Sequence, residues 1–163
     1  MAKTTAVGIL GPTLDRGTGP DRWNHWRPTV SLCQHDDLLI ERFDLLYQKK
    51  FKDLADQVTE DIRSVSPETQ VRLHAVEMRE PWDFEGVYGE LHDFVIALTQ
   101  DLPDDAETLV HITTGTHVAQ ICWFLLTESR HLPGKLIQTS PPRTKEKKRA
   151  GGRETYTLSL IHI

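Results

Sequence analysis

Several things are scarce in this chain of 163 residues, and each scarcity excludes something. There are two cysteines, Cys33 and Cys122, far apart and with no CxxC or Cys/His ligand spacing beside either. A structural zinc site is not expected, and neither is a disulfide in a reducing compartment. No apolar run approaches the roughly 18 residues of a membrane span, and the longest helical run is cut by Glu128, Ser129 and Arg130. The apolar start Ala6–Leu10 is too short for the core of a signal peptide, so no membrane is expected and the cytoplasm is the default location. Nucleotide fingerprints are missing too. Gly8-Ile9-Leu10-Gly11 misses the G-x-G-x-x-G spacing and no GxxxxGK[ST] occurs, which disfavours P-loop ATP hydrolysis and NAD binding of the familiar kind. No Ser/His/Asp or paired-carboxylate arrangement is recognisable by spacing. No catalytic residue, metal ligand or cofactor is therefore assigned.

Charge is present but unevenly distributed. Residues 143–163 carry six bases (Arg143, Lys145, Lys147, Lys148, Arg149, Arg153) against Glu146 and Glu154, a balance of +4. The other 142 residues hold 13 bases and 22 acids, a balance of −9. So acidic a body cannot wrap DNA by general electrostatics, although it leaves room for a focused anion site. The basic run Lys145–Arg149 reads as a solvated linker, with contact to RNA or DNA as the minor alternative.

The hydrophobic pattern alternates between two periods. Thr5–Leu10 suits a buried strand, residues 38–47 a second, Val71–Glu77 a third, Thr108–Thr113 a fourth and Lys135–Thr139 a fifth. Tyr156–Ile163 is a possible sixth. Between them, Phe51, Leu54, Ala55, Val58 and Ile62 recur at helical spacing, and Ser66-Pro67 closes that helix. Asp83 is a candidate N-cap for a helix carrying Phe84, Val87, Tyr88, Leu91, Val95 and Leu98, and residues 117–130 form an apolar helix. The expected fold is α/β and Rossmann-like, with about six mainly parallel strands and helices on both faces. One sensing domain is expected over 1–143. Residues 144–163 are read as a basic linker with a possible final strand, truncated before any effector domain.

Ligands of open α/β sheets bind beyond the carboxyl ends of the strands. Three strand ends here have unusual sequence: Gly11-Pro12-Thr13, Thr113-Thr114-Gly115-Thr116-His117, and Ser140-Pro141-Pro142-Arg143. Gly115 permits a tight turn, Thr114 or Thr116 can cap the helix, and the free N–H groups of that helix start suit a phosphate. His117 and Gln120 lie three apart on its first turn. A plain capped helix is the competing reading. In Arg22-Trp23-Asn24-His25-Trp26-Arg27, bases alternate with aromatics; Trp26 and Arg27 are candidates for stacking on a nucleobase, and a Trp-anchored packing loop is the equal alternative. His74 and His111 read as core or surface histidines. The Trp123–Leu126 cluster reads as core or subunit interface.

These strand ends also carry a resemblance. Gly8–Gln34, with its GILG, RG and RW-x-x-WRPTVSLCQ segments, together with HITTGTHVAQICWFLLTESRHLPGKLIQTSPPR (His111–Arg143), closely resembles the amino-terminal domain of the RtcR family of sigma-54-dependent activators of RNA repair. That domain belongs to the CARF group of Rossmann-like sensors. The resemblance implies a regulatory homodimer that binds an RNA-derived ligand, an RNA fragment or cyclic oligoadenylate, across its two-fold axis. It implies a pocket formed by Gly11–Arg16 (Gly11, Pro12, Thr13, Arg16) and Thr113–Gln120, with Ser140 beside it. It further implies a continuation into an AAA+ ATPase domain and a helix-turn-helix domain, neither of which is in this sequence, with DNA and sigma-54 RNA polymerase as partners of the full-length protein. The alternative is a metal-independent ring nuclease cleaving cyclic oligoadenylate. A third reading is a bare binding or oligomerisation module.

Overall fold

The computed structural model describes residues 3–141 and 157–161. Strand β1 (Thr4–Ile9) leads through a long connection to the short helix α1 (Pro28–Leu32), then β2 (Arg42–Tyr47), α2 (Lys52–Val65) and β3 (Gln70–Ala75). Helix α3 (Phe84–Asp101) crosses to β4 (Glu107–His111), followed by α4 (His117–Glu128), β5 (Lys135–Ser140) and β6 (Thr157–Ile161). The sheet order is β3-β2-β1-β4-β5-β6, with five parallel strands and β6 antiparallel to β5. The expected Rossmann-like α/β class is therefore observed.

Burial explains why the helices divide between two faces. Alternate residues of β1 point opposite ways: Ala6 joins Val58, Ile62 and Phe43 on one side, while Val7 and Ile9 join Leu91, Val95 and Trp123 on the other. Helices α1 and α2 cover the first face, α3 and α4 the second. The chain changes face as it passes from β3 to β4, so β1 and β4 are neighbours whose connections leave in opposite directions. That is the switch point where open α/β sheets form a crevice.

Several boundaries differ from the sequence expectation for physical reasons. β2 starts at Arg42 rather than at residue 38, because Leu39 is exposed and the Ile40 carbonyl is taken by the Thr69 hydroxyl. β4 ends at His111 rather than Thr113. Beyond it the Thr113 hydroxyl accepts from the Thr139 N–H at 2.8 Å, a side chain taking the place of the next backbone partner. Pro28 does open α1, and Asp83 caps α3 by accepting from the Gly86 N–H. The basic run Lys145–Arg149 lies outside the described residues, as does most of 144–163.

Candidate functional site

The carboxyl ends of β1, β2 and β3 and the start of α4 surround a cleft of about 340 Å³. Gly11, Pro12, Thr13 and Leu14 form one wall, and Gly115, Thr116 and Ala119 another. Gln48, Phe51, Val76, Met78, Pro81 and Trp82, which follow β2 and β3, close the remaining side.

The turn after β4 is built by backbone and threonines. Gly115 has φ of +97°, in the left-handed region where a side chain is strained. Thr116 is the N-cap of α4: its hydroxyl accepts from the Ala119 N–H at 3.1 Å and donates to the Pro81 carbonyl at 3.0 Å. One side chain thus caps the helix and fastens the Pro81–Trp82 segment to it. Thr114 is not the cap. It is buried, and its hydroxyl donates to the Ile9 carbonyl at the end of β1.

The connection after β1 is held quite differently. A Cβ at Gly11 would lie 2.9 Å from Thr114 Cγ2, so glycine is what lets the two turns touch. Asp15 is wholly buried; its carboxylate accepts from the Gly11 N–H at 2.9 Å, from the Thr29 N–H at 2.9 Å and from the Thr29 hydroxyl at 2.6 Å. Burial pushes the Asp15 carboxyl up, against the opposing pull of those bonds and of Arg27. Further along, Arg22 and Arg27 both bind Asp61 of α2, at 2.8 and 2.6 Å. Burial pushes the Asp61 carboxyl up, but the bonds from Arg22 and Arg27 outweigh it and hold it below its ordinary value.

This geometry corrects one reading of the Arg/Trp segment. Arg27 is 3% exposed, paired with Asp61, and its guanidinium lies 4.7 Å from the centre of the Trp23 ring. It is committed to the fold and is not offered to a base. Trp26 does not line the cleft either, and its indole N–H is buried. The packing-loop alternative describes this segment.

Of the other candidates, Gly11, Pro12, Thr13, Gly115 and Thr116 meet in the cleft. Arg16 does not; its guanidinium donates to the Thr13 carbonyl of its own loop at 2.9 Å. Thr113 and Thr114 stand behind the turn with their hydroxyls used by the fold. His117 and Gln120 are absent from the cleft lining, and with Ile121 and Phe124 they follow the spacing of the outer face of α4. Ser140 ends β5 away from the lining. His111 is fully buried, with Nε2 3.0 Å from the Thr139 hydroxyl, and burial lowers its pKa to about 3. It is a neutral core residue. The Trp123–Leu126 cluster divides: Trp123 and Leu126 are core, whereas Phe124 and Leu125 are exposed.

Residues 2–162 match the family model described as RtcR, regulator of RNA terminal phosphate cyclase. The chain belongs to the RtcR family. It is 51% identical over 156 residues to the transcriptional regulatory protein RtcR of Escherichia coli (strain K12), covering 95% of this chain but 29% of that protein. Among solved structures, the fold resembles Enterococcus italicus Csm6 bound to cyclic hexa-2′-fluoro-hexa-dAMP, with a TM-score of 0.73 at 16% identity over all of this chain and 43% of that one. It also resembles Can2 from Sulfobacillus thermosulfidooxidans in complex with cyclic tetra-adenylate, with a TM-score of 0.52 at 16% identity over 83% of this chain and 31% of that one. At such identities these likenesses show the fold.

Sequence reasoning missed the third side of the cleft. Gln48, Phe51, Met78 and Trp82 follow β2 and β3, whose carboxyl ends obey the same strand-end rule as those of β1 and β4. The available signal was Pro81-Trp82-Asp83, an aromatic between a proline and a helix cap. No helix among the described residues is long and apolar enough to cross a membrane.

Proposed function

We propose that this RtcR-family chain is the ligand-sensing part of a cytoplasmic transcriptional regulator and binds an RNA-derived ligand, an RNA end or an oligonucleotide, at the β1/β4 cleft. The observation that carries the reading is the cleft's position: it opens at the sheet's switch point, against the Gly115 turn and the start of α4, and the first N–H groups of a helix lack partners within the helix itself. Such amides suit a phosphate without any ionised partner. The structural likeness to proteins solved with cyclic oligoadenylates supports this ligand class.

A homodimer is part of the proposal. On α4, Ile121, Phe124 and Leu125 are 51%, 37% and 38% exposed, one apolar stripe on the same side as His117 and Gln120. Pairing two copies through this stripe would bury it and carry His117 and Gln120 of both towards a shared ligand. In the whole regulator, occupancy would then be relayed to an AAA+ ATPase domain acting on DNA with sigma-54 RNA polymerase.

The test is incubation with short RNAs of differing end chemistry and with cyclic oligoadenylates, following binding and product formation together. Saturable binding without turnover is the expected outcome. A cleaved product would favour the ring-nuclease alternative, and no binding by any of them would refute the sensor. In parallel, Phe124→Glu should convert a dimer to a monomer by light scattering; a parent protein that is already monomeric at tens of micromolar overturns the dimer.

A further inference from the structure

The cleft has a feature that the sensing role alone does not require: none of the side chains lining it carries a charge. Its walls are mostly apolar (Ile9, Phe51, Val76, Met78 and Trp82 among them), with the Thr13 and Thr116 hydroxyls and the Gln48 amide as the polar side chains. Away from the Gly115 turn, where amides can meet a phosphate, an uncharged and largely apolar recess suits a flat, neutral ring better than an anion. Size points the same way. Ligand pockets run from about 300 to 1,000 Å³, and this one, at about 340 Å³, lies at the lower limit. It has room for a single nucleoside, so the rest of any longer ligand would have to stay outside.

Trp82 is the second observation. Its side chain is 70% exposed, an unusual position for the largest apolar residue. Its backbone nevertheless is pinned on both sides. The preceding Pro81 carbonyl is held by the Thr116 hydroxyl at 3.0 Å, and the following Asp83 caps α3 through the Gly86 N–H at 3.0 Å. An exposed indole on a fixed backbone at the edge of an apolar cleft is a stacking platform that loses little entropy on binding. Gln48 supplies the complementary feature. Among the described residues its amide has no hydrogen-bond partner, and it offers one donor and one acceptor side by side, the arrangement that pairs with a base edge.

We propose that the cleft is a subsite for one unpaired nucleobase, stacked on Trp82 and read at its edge by Gln48, with the attached phosphate left to the Gly115 turn. This rests on the sensing reading above and adds a residue-level basis for recognising the base.

The test compares adenosine 5′-monophosphate with ribose 5-phosphate, which has the sugar and phosphate but no base, by ligand-observed NMR titration of the 163-residue protein. The nucleotide should bind at least tenfold more tightly. Trp82→Ala should reduce its affinity to that of ribose 5-phosphate, Trp82→Phe should restore most of it, and neither should change ribose 5-phosphate binding. Gln48→Leu should weaken the nucleotide severalfold and leave ribose 5-phosphate alone. Because Trp82 is exposed, its replacement should leave the thermal midpoint within a degree or two, which separates lost binding from lost folding. If both probes bind equally, or Trp82→Ala leaves the nucleotide unaffected, the base subsite is wrong while a phosphate site at the turn survives. If neither probe binds, the base subsite and the site assignment fall together.

Discussion

The connection from β1 to α1 and the connection from β4 to α4 begin on neighbouring strands and touch at Gly11 and Thr114, yet they are held by different means. The first is long and depends on buried carboxyl side chains: Asp15 gathers the Gly11 and Thr29 N–H groups, and Asp61 gathers Arg22 and Arg27. The second is short and neutral, shaped by a left-handed glycine and by threonine hydroxyls bonded to backbone. A long loop with few backbone partners of its own needs strong, distant anchors; a five-residue turn needs only permissible dihedrals and a cap. Damage to one anchor should therefore cost much more in the first connection than in the second.

The largest effect is expected at Asp61. Asp61→Ala would leave the Arg27 guanidinium, 2% exposed, without its counter-charge. Breaking a buried pair this way costs about 3–5 kcal/mol, and the lower figure is expected here because Arg22 reaches water. Urea denaturation measures it. The same group sets a pH dependence. The Asp61 carboxyl lies below its ordinary 3.8 in the folded protein, so its stabilisation is present above that value and is lost as the pH falls through the lower folded one. Asp61→Asn should flatten that part of the acid limb. A loss below 1 kcal/mol for Asp61→Ala would show that the loop stands without its charged anchor, and the contrast would collapse.

Next comes Gly115→Val. A Cβ there would meet Ala119 Cβ at 3.5 Å and Ile9 Cδ1 at 3.8 Å, ordinary contacts, so space is not the obstacle. The dihedral is: φ of +97° is one that a β-branched residue rarely adopts. The expected cost is about 2 kcal/mol, together with weaker ligand binding as the turn shifts. Gly115→Asn, which tolerates positive φ better, should recover part of both. Equal losses for the two variants would mean that the obstacle is the side chain's bulk and not the backbone angle.

These two cases also explain how much was legible in the sequence. The turn after β4 could be read because the causes of its shape are local: Gly115 sets its own dihedral, the Thr116 cap reaches only to Ala119, and the strand-end rule placed them. Asp83 and Pro28 were legible for the same reason. The role of Arg27 was not, because its partner Asp61 lies 34 residues away on α2 and nothing in the spacing of Arg22 to Arg27 reveals it. Trp82 was missed for a third reason. Its bond to the site is made by a backbone carbonyl, at Pro81, received from Thr116 across 35 residues. Local chemistry shows in the sequence, while pairing between distant elements appears only when the sheet order brings them together.

The smallest expected effect tests the neutral turn on its own terms. Thr116→Ala removes an N-cap, for which the usual loss is about 1 kcal/mol, and also the bond to the Pro81 carbonyl. That carbonyl sits on a half-buried loop and can turn to water, so the second bond should add only a few tenths. Thr116→Ser keeps the hydroxyl and both bonds and should remain within about 0.5 kcal/mol of the parent. The more sensitive readout is local. Once untied, the segment around Pro81 and Trp82 should exchange its amide hydrogens faster in Thr116→Ala than in Thr116→Ser, while β1 and β4 keep their protection. If Thr116→Ala instead costs as much as Asp61→Ala, the short turn depends on a side-chain anchor as heavily as the long loop does. The difference between the two connections would then lie in length alone.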